Sequence, residues 1–160
     1  MKPRLFFDIP ERKQPATQQL RNGENWAIMA PFGAVTSKGR KVLVPPSGYG
    51  TDADILQKPL WKTDYGSIPR PFRNLLDKMK FGVAFILHDW LYKSKLVTRA
   101  EADAIFLELL KLQGAKAWER RVIYLGVRLG GWRAWRANGN GKALRDYSEQ
   151  YFTNYPFSLN

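Results

Sequence analysis

The chain has 160 residues, 44% hydrophobic and 25% charged, which fits one folded domain with a single core. It contains no cysteine, so disulfide frameworks and thiolate zinc sites are excluded. Its 26 Lys and Arg against 14 Asp and Glu give a net charge of +12. That charge suits a polyanionic neighbour such as DNA, an anionic lipid or a cell-wall polymer, or else serves solubility alone. The basic residues are spread along the chain, so no single arm owns the charge. No apolar run approaches the ~20 residues of a membrane span. The opening MKPRLFFDIPERK places charges and prolines too early for the apolar centre of a signal peptide.

Residues 1–25 are mixed, and QPATQQLRNGEN reads as a polar, turn-rich stretch. From Asn25 to Pro45 the pattern becomes strand-like. WAIMAPFGAV and KVLVP are short apolar or β-branched runs joined by SKGR, which predicts a hairpin. PPSGYGTDAD is almost all turn chemistry. From Pro69 the chain turns helical, with a short helix expected over Pro71 to Met79. Phe81 to Ser94 is apolar on nearly all faces, hence a buried helix. Arg99 to Gln113 is the clearest helix: Thr98 and Glu101 have capping-box spacing, and Gly114 stands where a stop belongs. Ala115 to about Arg136 reads as a further helix, weakened at Gly126, Gly130 and Gly131. The tail RDYSEQYFTNYPFSLN reads as irregular. The expectation is a single α+β domain, mainly helical. Residues 1–68 form a hairpin and loop region, 69–136 a helical core and 137–160 a tail.

His88 is the only histidine, and it sits beside Asp89 inside the greasy run AFILHDWL. On the helix from Arg99, Glu101, Glu108 and Lys111 share one side at ~100° per residue, while Asp103 falls on the apolar side. A carboxylate there is costly unless paired. Residues 95–98 form a tight link, so the two helices are expected to run antiparallel. His88 and Asp103 then stand at nearly the same height. A hydrogen bond between them fixes the imidazole tautomer. The catalytic reading calls for Nδ1 on Asp103 and Nε2 open on a solvent cleft lined by Asp64 and Asp89. Such a pair either braces two helices or forms the core of a base. Asp89 points about a quarter turn away, leaving it free for a different task, such as holding a cation.

The loop TDYGSIPRPF, residues 63–72, adds candidates. Ser67 followed by Pro69 is a helix-start signal. Ser67 is also a possible nucleophile for His88, with Asp103 as orienting acid. Asp64 offers a second carboxylate near Asp89, and two carboxylates with loop carbonyls suit calcium or another divalent cation. Toward the C-terminus, Arg128, Trp132, Arg133, Trp135 and Arg136 interleave cations with aromatics, as nucleic-acid or membrane contacts do. No Walker loop, dinucleotide fingerprint or H-E-x-x-H is present.

Four blocks occur in order: T-D-Y-G-S-I-P-R (63–70), H-D-W-L-Y (88–92), R-A-E-A-D-A-I-F (99–106) and Y-L-G-V-R-L-G-G (124–131). Over about residues 40–135 they resemble a domain-of-unknown-function family common in tailed bacteriophages and prophages. Its members share a T-D-x-x-S-I-P loop, an H-D-x-L-Y helix and an R-x-x-A-D-x-x-F helix. They usually run from V-P-x-G-F directly into the T-D loop. Here VPPSGYGTDADILQKPLWKTDYGS carries an insertion in which T-D occurs twice, at 51–52 and 63–64. Asp64 therefore takes the family position, with Asp52 as the alternative.

The resemblance implies a phage origin and late genes near the tail or lysis modules. It further implies a place in the virion, or otherwise in the host cytoplasm, and other phage structural proteins as partners. In layout, the His-Asp helix is also similar to secreted phospholipases A2, though their cysteines and calcium loop are absent here. That likeness implies His88 as base toward water, Asp89 as calcium ligand, Asp103 as orienter and Tyr92 as supporting hydroxyl. The function expected is thus a virion-associated protein, with or without a cell-envelope hydrolase activity. The alternatives are a non-catalytic structural or DNA-contacting phage protein, or a free nucleic-acid-binding module.

Overall fold

The computed structural model describes residues 1–9, 11–65 and 79–155. The chain groups into two compact units: one runs from Met1 to Asp64 and resumes at Ala143, the other spans Tyr65–Lys142. The fold is α+β, mainly helical, with the strands in the N-terminal third.

In the first unit β1 (Arg4–Phe7), β4 (Phe32–Val35) and β5 (Lys41–Val44) form an antiparallel sheet of order β1-β4-β5. The expected hairpin is β4 and β5, with Val35 opposite Lys41. Its turn closes through Thr36 N–H to the Arg40 carbonyl at 2.9 Å, and Gly39 takes a φ of +77°, which suits a residue without Cβ. β4 is buried at every position from Phe32 to Val35, so the central strand is covered on both faces rather than alternating. At Gly33 an added Cβ would lie 2.6 Å from the Phe6 ring and from the Val42 carbonyl oxygen. The glycine lets the Phe6 ring pack directly against β4.

Three segments differ from the sequence expectation. The polar stretch before Asn25 holds β2 (Thr17–Gln19), which pairs antiparallel with β3 (Trp26–Ile28). Ladder bonds to an apolar partner strand override its weak β propensity. PPSGYGTDAD gives way to helix α1 (Asp52–Gln57), because Thr51 and Asp54 form a reciprocal capping box that satisfies two helix-end donors at once. The first T-D pair is thus a helix start. The tail, as far as residue 155, forms α5 (Lys142–Asn154) rather than an irregular segment, and its last five residues lie outside the described residues. Its Tyr147 hydroxyl donates to the Pro46 carbonyl at 2.7 Å, alongside Trp61 Nε1 at 2.9 Å. Tyr147 also meets Tyr49 edge-on at 4.8 Å. These anchors stabilise a helix that its own polar composition would not.

The second unit contains a 3-10 turn (Met79–Phe81), α2 (Gly82–Ser94), α3 (Arg99–Leu112) and α4 (Ala117–Ala137). The short helix expected over Pro71 to Met79 lies, up to residue 78, outside the described residues. Helix α2 is buried almost throughout, including Val83, Ala84, Ile86, Leu87, Trp90 and Leu91. It ends at Lys95, in the left-handed region at φ 55°, with its N–H bonded to the Leu91 carbonyl. Thr98 then caps α3 by accepting the Glu101 N–H.

Gly33→Ala is expected to destabilise the first unit by about 1–3 kcal/mol, because the new methyl collides with backbone and ring at once. Urea unfolding followed by circular dichroism measures it. A loss below about 0.5 kcal/mol would contradict the close approach.

Candidate functional site

Helices α2 and α3 meet in reversed order. Ala84 N–H, at the start of α2, donates to Gln113 Oε1 at the end of α3, 2.8 Å away. Halfway along, His88 meets Asp103. The four-residue link Lys95–Thr98 joins them as the antiparallel pair expected from the sequence.

Asp103 is completely buried, at 0% exposure, and every contact is charge-compensating or donating. Its Oδ1 accepts the Tyr92 hydroxyl at 2.6 Å and meets His88 Nε2 at 3.0 Å. Its Oδ2 accepts Arg128 Nη1 from α4 at 2.8 Å, with Arg99 Nε at 3.7 Å from one turn earlier on α3. Burial alone would raise the Asp103 pKa. The hydrogen bonds from His88, Tyr92 and Arg128 outweigh it, and the carboxyl is held below its usual value. Asp103 is therefore ionised at neutral pH. The converse holds at Tyr92, whose phenol is pushed up by burial and by the Asp103 carboxylate, so it acts as a donor and stays neutral.

An ionised Asp103 only accepts. The hydrogen on the His88 side of the 3.0 Å contact must then belong to Nε2, and in neutral imidazole the lone pair falls to Nδ1. This is the reverse of the orientation that the catalytic reading calls for. The reason is reach: Nε2 is the distal nitrogen, and an imidazole spanning to a facing helix must present its far edge. The ring lies between Tyr92 and Phe106, with centroids 4.2 and 4.4 Å away. Its side chain retains 9% exposure.

The arginines do more than neutralise. Arg99 Nη2 donates to the Arg128 carbonyl at 2.7 Å and the Val127 carbonyl at 3.3 Å on α4. At Gly131 an added Cβ would stand 2.7 Å from the Tyr92 hydroxyl oxygen, so only glycine allows α4 to approach that close. Trp135 meets Tyr92 edge-on at 5.1 Å and carries Lys95 Nζ 3.6 Å above its own ring. One carboxylate thus joins three helices.

The remaining candidates are distributed differently. Asp89 is half-buried on α2, next to His88. Asp64 is exposed and belongs to the first unit, as does Asp52 on α1. Ser67 lies outside the described residues. Among the described residues no three His, Cys, Asp or Glu side chains converge as ion ligands. The centre carries two arginines against one aspartate, a surplus of positive charge that repels a cation. The loop carbonyls expected to complete a cation site with Asp64 and Asp89 lie outside the described residues. Of the presumed surface contacts, Arg128 reaches in to Asp103 and Trp135 is engaged with Tyr92. Trp132, Arg133 and Arg136 are exposed.

Sequence reasoning did not assign Arg99, Arg128 and Gly131 to the centre. The signal for Arg99 was present: it precedes Asp103 by four residues, the spacing of a helical ion pair. Arg128 and Gly131 come from a separate helix, and nothing local in the sequence ties them to Asp103.

A family model described as "Protein of unknown function (DUF1353)" matches residues 54–127. That match supports the resemblance to a domain-of-unknown-function family, and it covers His88, Tyr92, Arg99 and Asp103. No curated protein and no solved structure matches the chain.

Two outcomes are expected. An aspartate with a depressed folded pKa stabilises the fold above its unfolded value of about 3.9, and that contribution is lost as pH falls through the folded value. Acid titration of unfolding free energy should therefore show a loss below about pH 4 that Asp103→Asn flattens; identical acid limbs would contradict the assignment. Gly131→Ala should cost about 1–3 kcal/mol in the native background and clearly less beside Tyr92→Phe, where the obstructing hydroxyl is gone. Additive costs in the double-mutant cycle would rule out that contact.

Proposed function

We propose that the chain is a hydrolase of cell-envelope ester or amide bonds, carried by a phage particle, with His88 as its base. The carrying observation is the 3.0 Å contact of His88 Nε2 with a buried, ionised Asp103, which leaves Nδ1 as the basic atom. In the step proposed, Nδ1 takes a proton from water while the water oxygen bonds to the carbonyl carbon. The tetrahedral intermediate then collapses, the C–O or C–N bond breaks, and the same proton passes to the departing oxygen or nitrogen. Asp103 keeps the ring in place and remains unprotonated. Tyr92, Arg99 and Arg128 are positioning residues that hold Asp103, as a supporting tyrosine does in the phospholipase A2 layout.

Support for the particle context is the resemblance to phage and prophage proteins, together with a net charge of +12 suited to DNA or anionic envelope polymers. Phage structural proteins are the partners that context implies.

A second reading has its own observation. With 9% side-chain exposure on His88 and none on Asp103, the same network serves as a non-catalytic brace of α2, α3 and α4 in a structural phage protein.

Turnover of bacterial phospholipid and of peptidoglycan by the purified chain separates the two. The hydrolase reading expects measurable turnover that falls about 100-fold or more in His88→Ala, with a bell or sigmoid in pH that Asp103→Asn displaces. Equal turnover by both proteins, or none by a folded wild type on either substrate, removes the catalytic role. A destabilised but otherwise silent His88→Ala is the signature of the brace.

A further inference from the structure

Helix α4 turns one face to Asp103 and another to solvent. At about 100° per residue, Trp118, Val122, Leu125, Leu129 and Trp132 fall within a stripe about 80° wide and roughly 21 Å long. They are spaced four, three, four and three residues apart, so the stripe keeps to one side of the helix. Leu125 is 58% exposed, Leu129 76% and Trp132 42%. Gly126 and Gly130 flank the stripe, and a concavity of 610 Å³ opens where they adjoin Val122, Leu125 and Leu129. Contiguous apolar surface of this extent marks an interaction site more often than chance exposure.

The charge around the stripe says what it meets. Arg121, Arg133 and Arg136 are exposed, and the last two place their guanidinium groups 5.3 and 5.2 Å from the Trp132 ring centre. The only acidic residue of α4 is Glu119. It is buried, accepts the Lys116 N–H at 2.6 Å and pairs with Lys80 at 3.7 Å. The outward face therefore carries cations and large apolar groups with no carboxylate among them.

We propose that this face of α4 docks on an anionic lipid surface. Leu125, Leu129 and the two tryptophans enter the boundary between headgroups and acyl chains, while the arginines meet the lipid phosphates. Trp132 between two arginines belongs at that boundary, where an amphipathic ring is apolar at one end and wet at the other. A second copy of the chain fits less well, since two such faces bring arginines together with no acid to answer them. Nucleic acid satisfies the arginines but gives Val122, Leu125 and Leu129 nothing apolar to meet. The proposal does not depend on the role of His88.

The test is cosedimentation with vesicles of phosphatidylcholine, with and without phosphatidylglycerol, together with tryptophan emission. The wild type is expected to bind the phosphatidylglycerol vesicles, to shift its emission to the blue, and to release as salt is raised. Leu125→Glu with Leu129→Glu should weaken binding at least 10-fold while its circular dichroism and melting stay unchanged, both sites being exposed. Absence of binding, equal binding to pure phosphatidylcholine, or undiminished binding by the double variant would overturn the proposal. So would a wild-type dimer that the double variant dissociates, since a second copy would then cover the face.

Discussion

An ionised carboxylate with no solvent exposure governs how the helical unit is built. Left unpaired, Asp103 would cost several kcal/mol, so the surrounding helices supply donors from three directions: His88 and Tyr92 on α2, Arg99 on α3 and Arg128 on α4. Each donor constrains its own helix. The i, i+4 pair His88 and Tyr92 turns one face of α2 toward α3, and Arg128 sets the rotation of α4 about its axis. Apolar contacts such as the Phe85–Phe106 edge pair at 5.2 Å supply cohesion, but they tolerate small slips in register. A bonded carboxylate does not, because a slipped neighbour leaves a buried charge with one fewer partner. The polar centre therefore specifies one packing among several that hydrophobic burial alone would allow.

The glycines of α4 belong to the same constraint. Helix interiors lose about 1 kcal/mol for each Gly relative to Ala, so three in six residues, Gly126, Gly130 and Gly131, weaken the helix unless packing compensates. At Gly131 the compensation is visible, since the Tyr92 hydroxyl occupies the space a Cβ would take. At Gly130 an added Cβ meets nothing within 4 Å, and no packing reason applies there.

Those same physical differences explain what could be read from the chain. The antiparallel α2–α3 pair and the contact of His88 with Asp103 were legible because helix register and a short link are local properties. The hairpin of β4 and β5 was legible for the same reason. Strand β2 was not, since its polar TQQ gains its structure from a partner strand. Helix α5 was not legible either: Tyr147 is ordered by the Pro46 carbonyl and by the Tyr49 hydroxyl, which donates to the Tyr147 carbonyl, both about a hundred residues away. The nitrogen that meets Asp103 turned on side-chain reach, which spacing does not encode. Arg128 looked like a surface cation because its helix shows arginines on several sides, and only the fold distinguishes the one that turns inward.

Pinning α4 from within also changes what its outer face is able to do. Arg99 holds two of its mid-helix carbonyls, Arg128 anchors it to the buried aspartate, and Lys95 joins it near its end through the Trp135 ring and carbonyl. The outward residues are thus presented by a helix that is already ordered, and binding need not first fold it. A free peptide of this composition, with three glycines between positions 126 and 131, would be a weak helix in water and would lose conformational freedom on reaching a surface. The polar centre and the exposed stripe are therefore mechanically linked. Loosening Asp103 releases α4 and disorders the face it presents, whereas charges introduced at Leu125 and Leu129 leave the centre untouched.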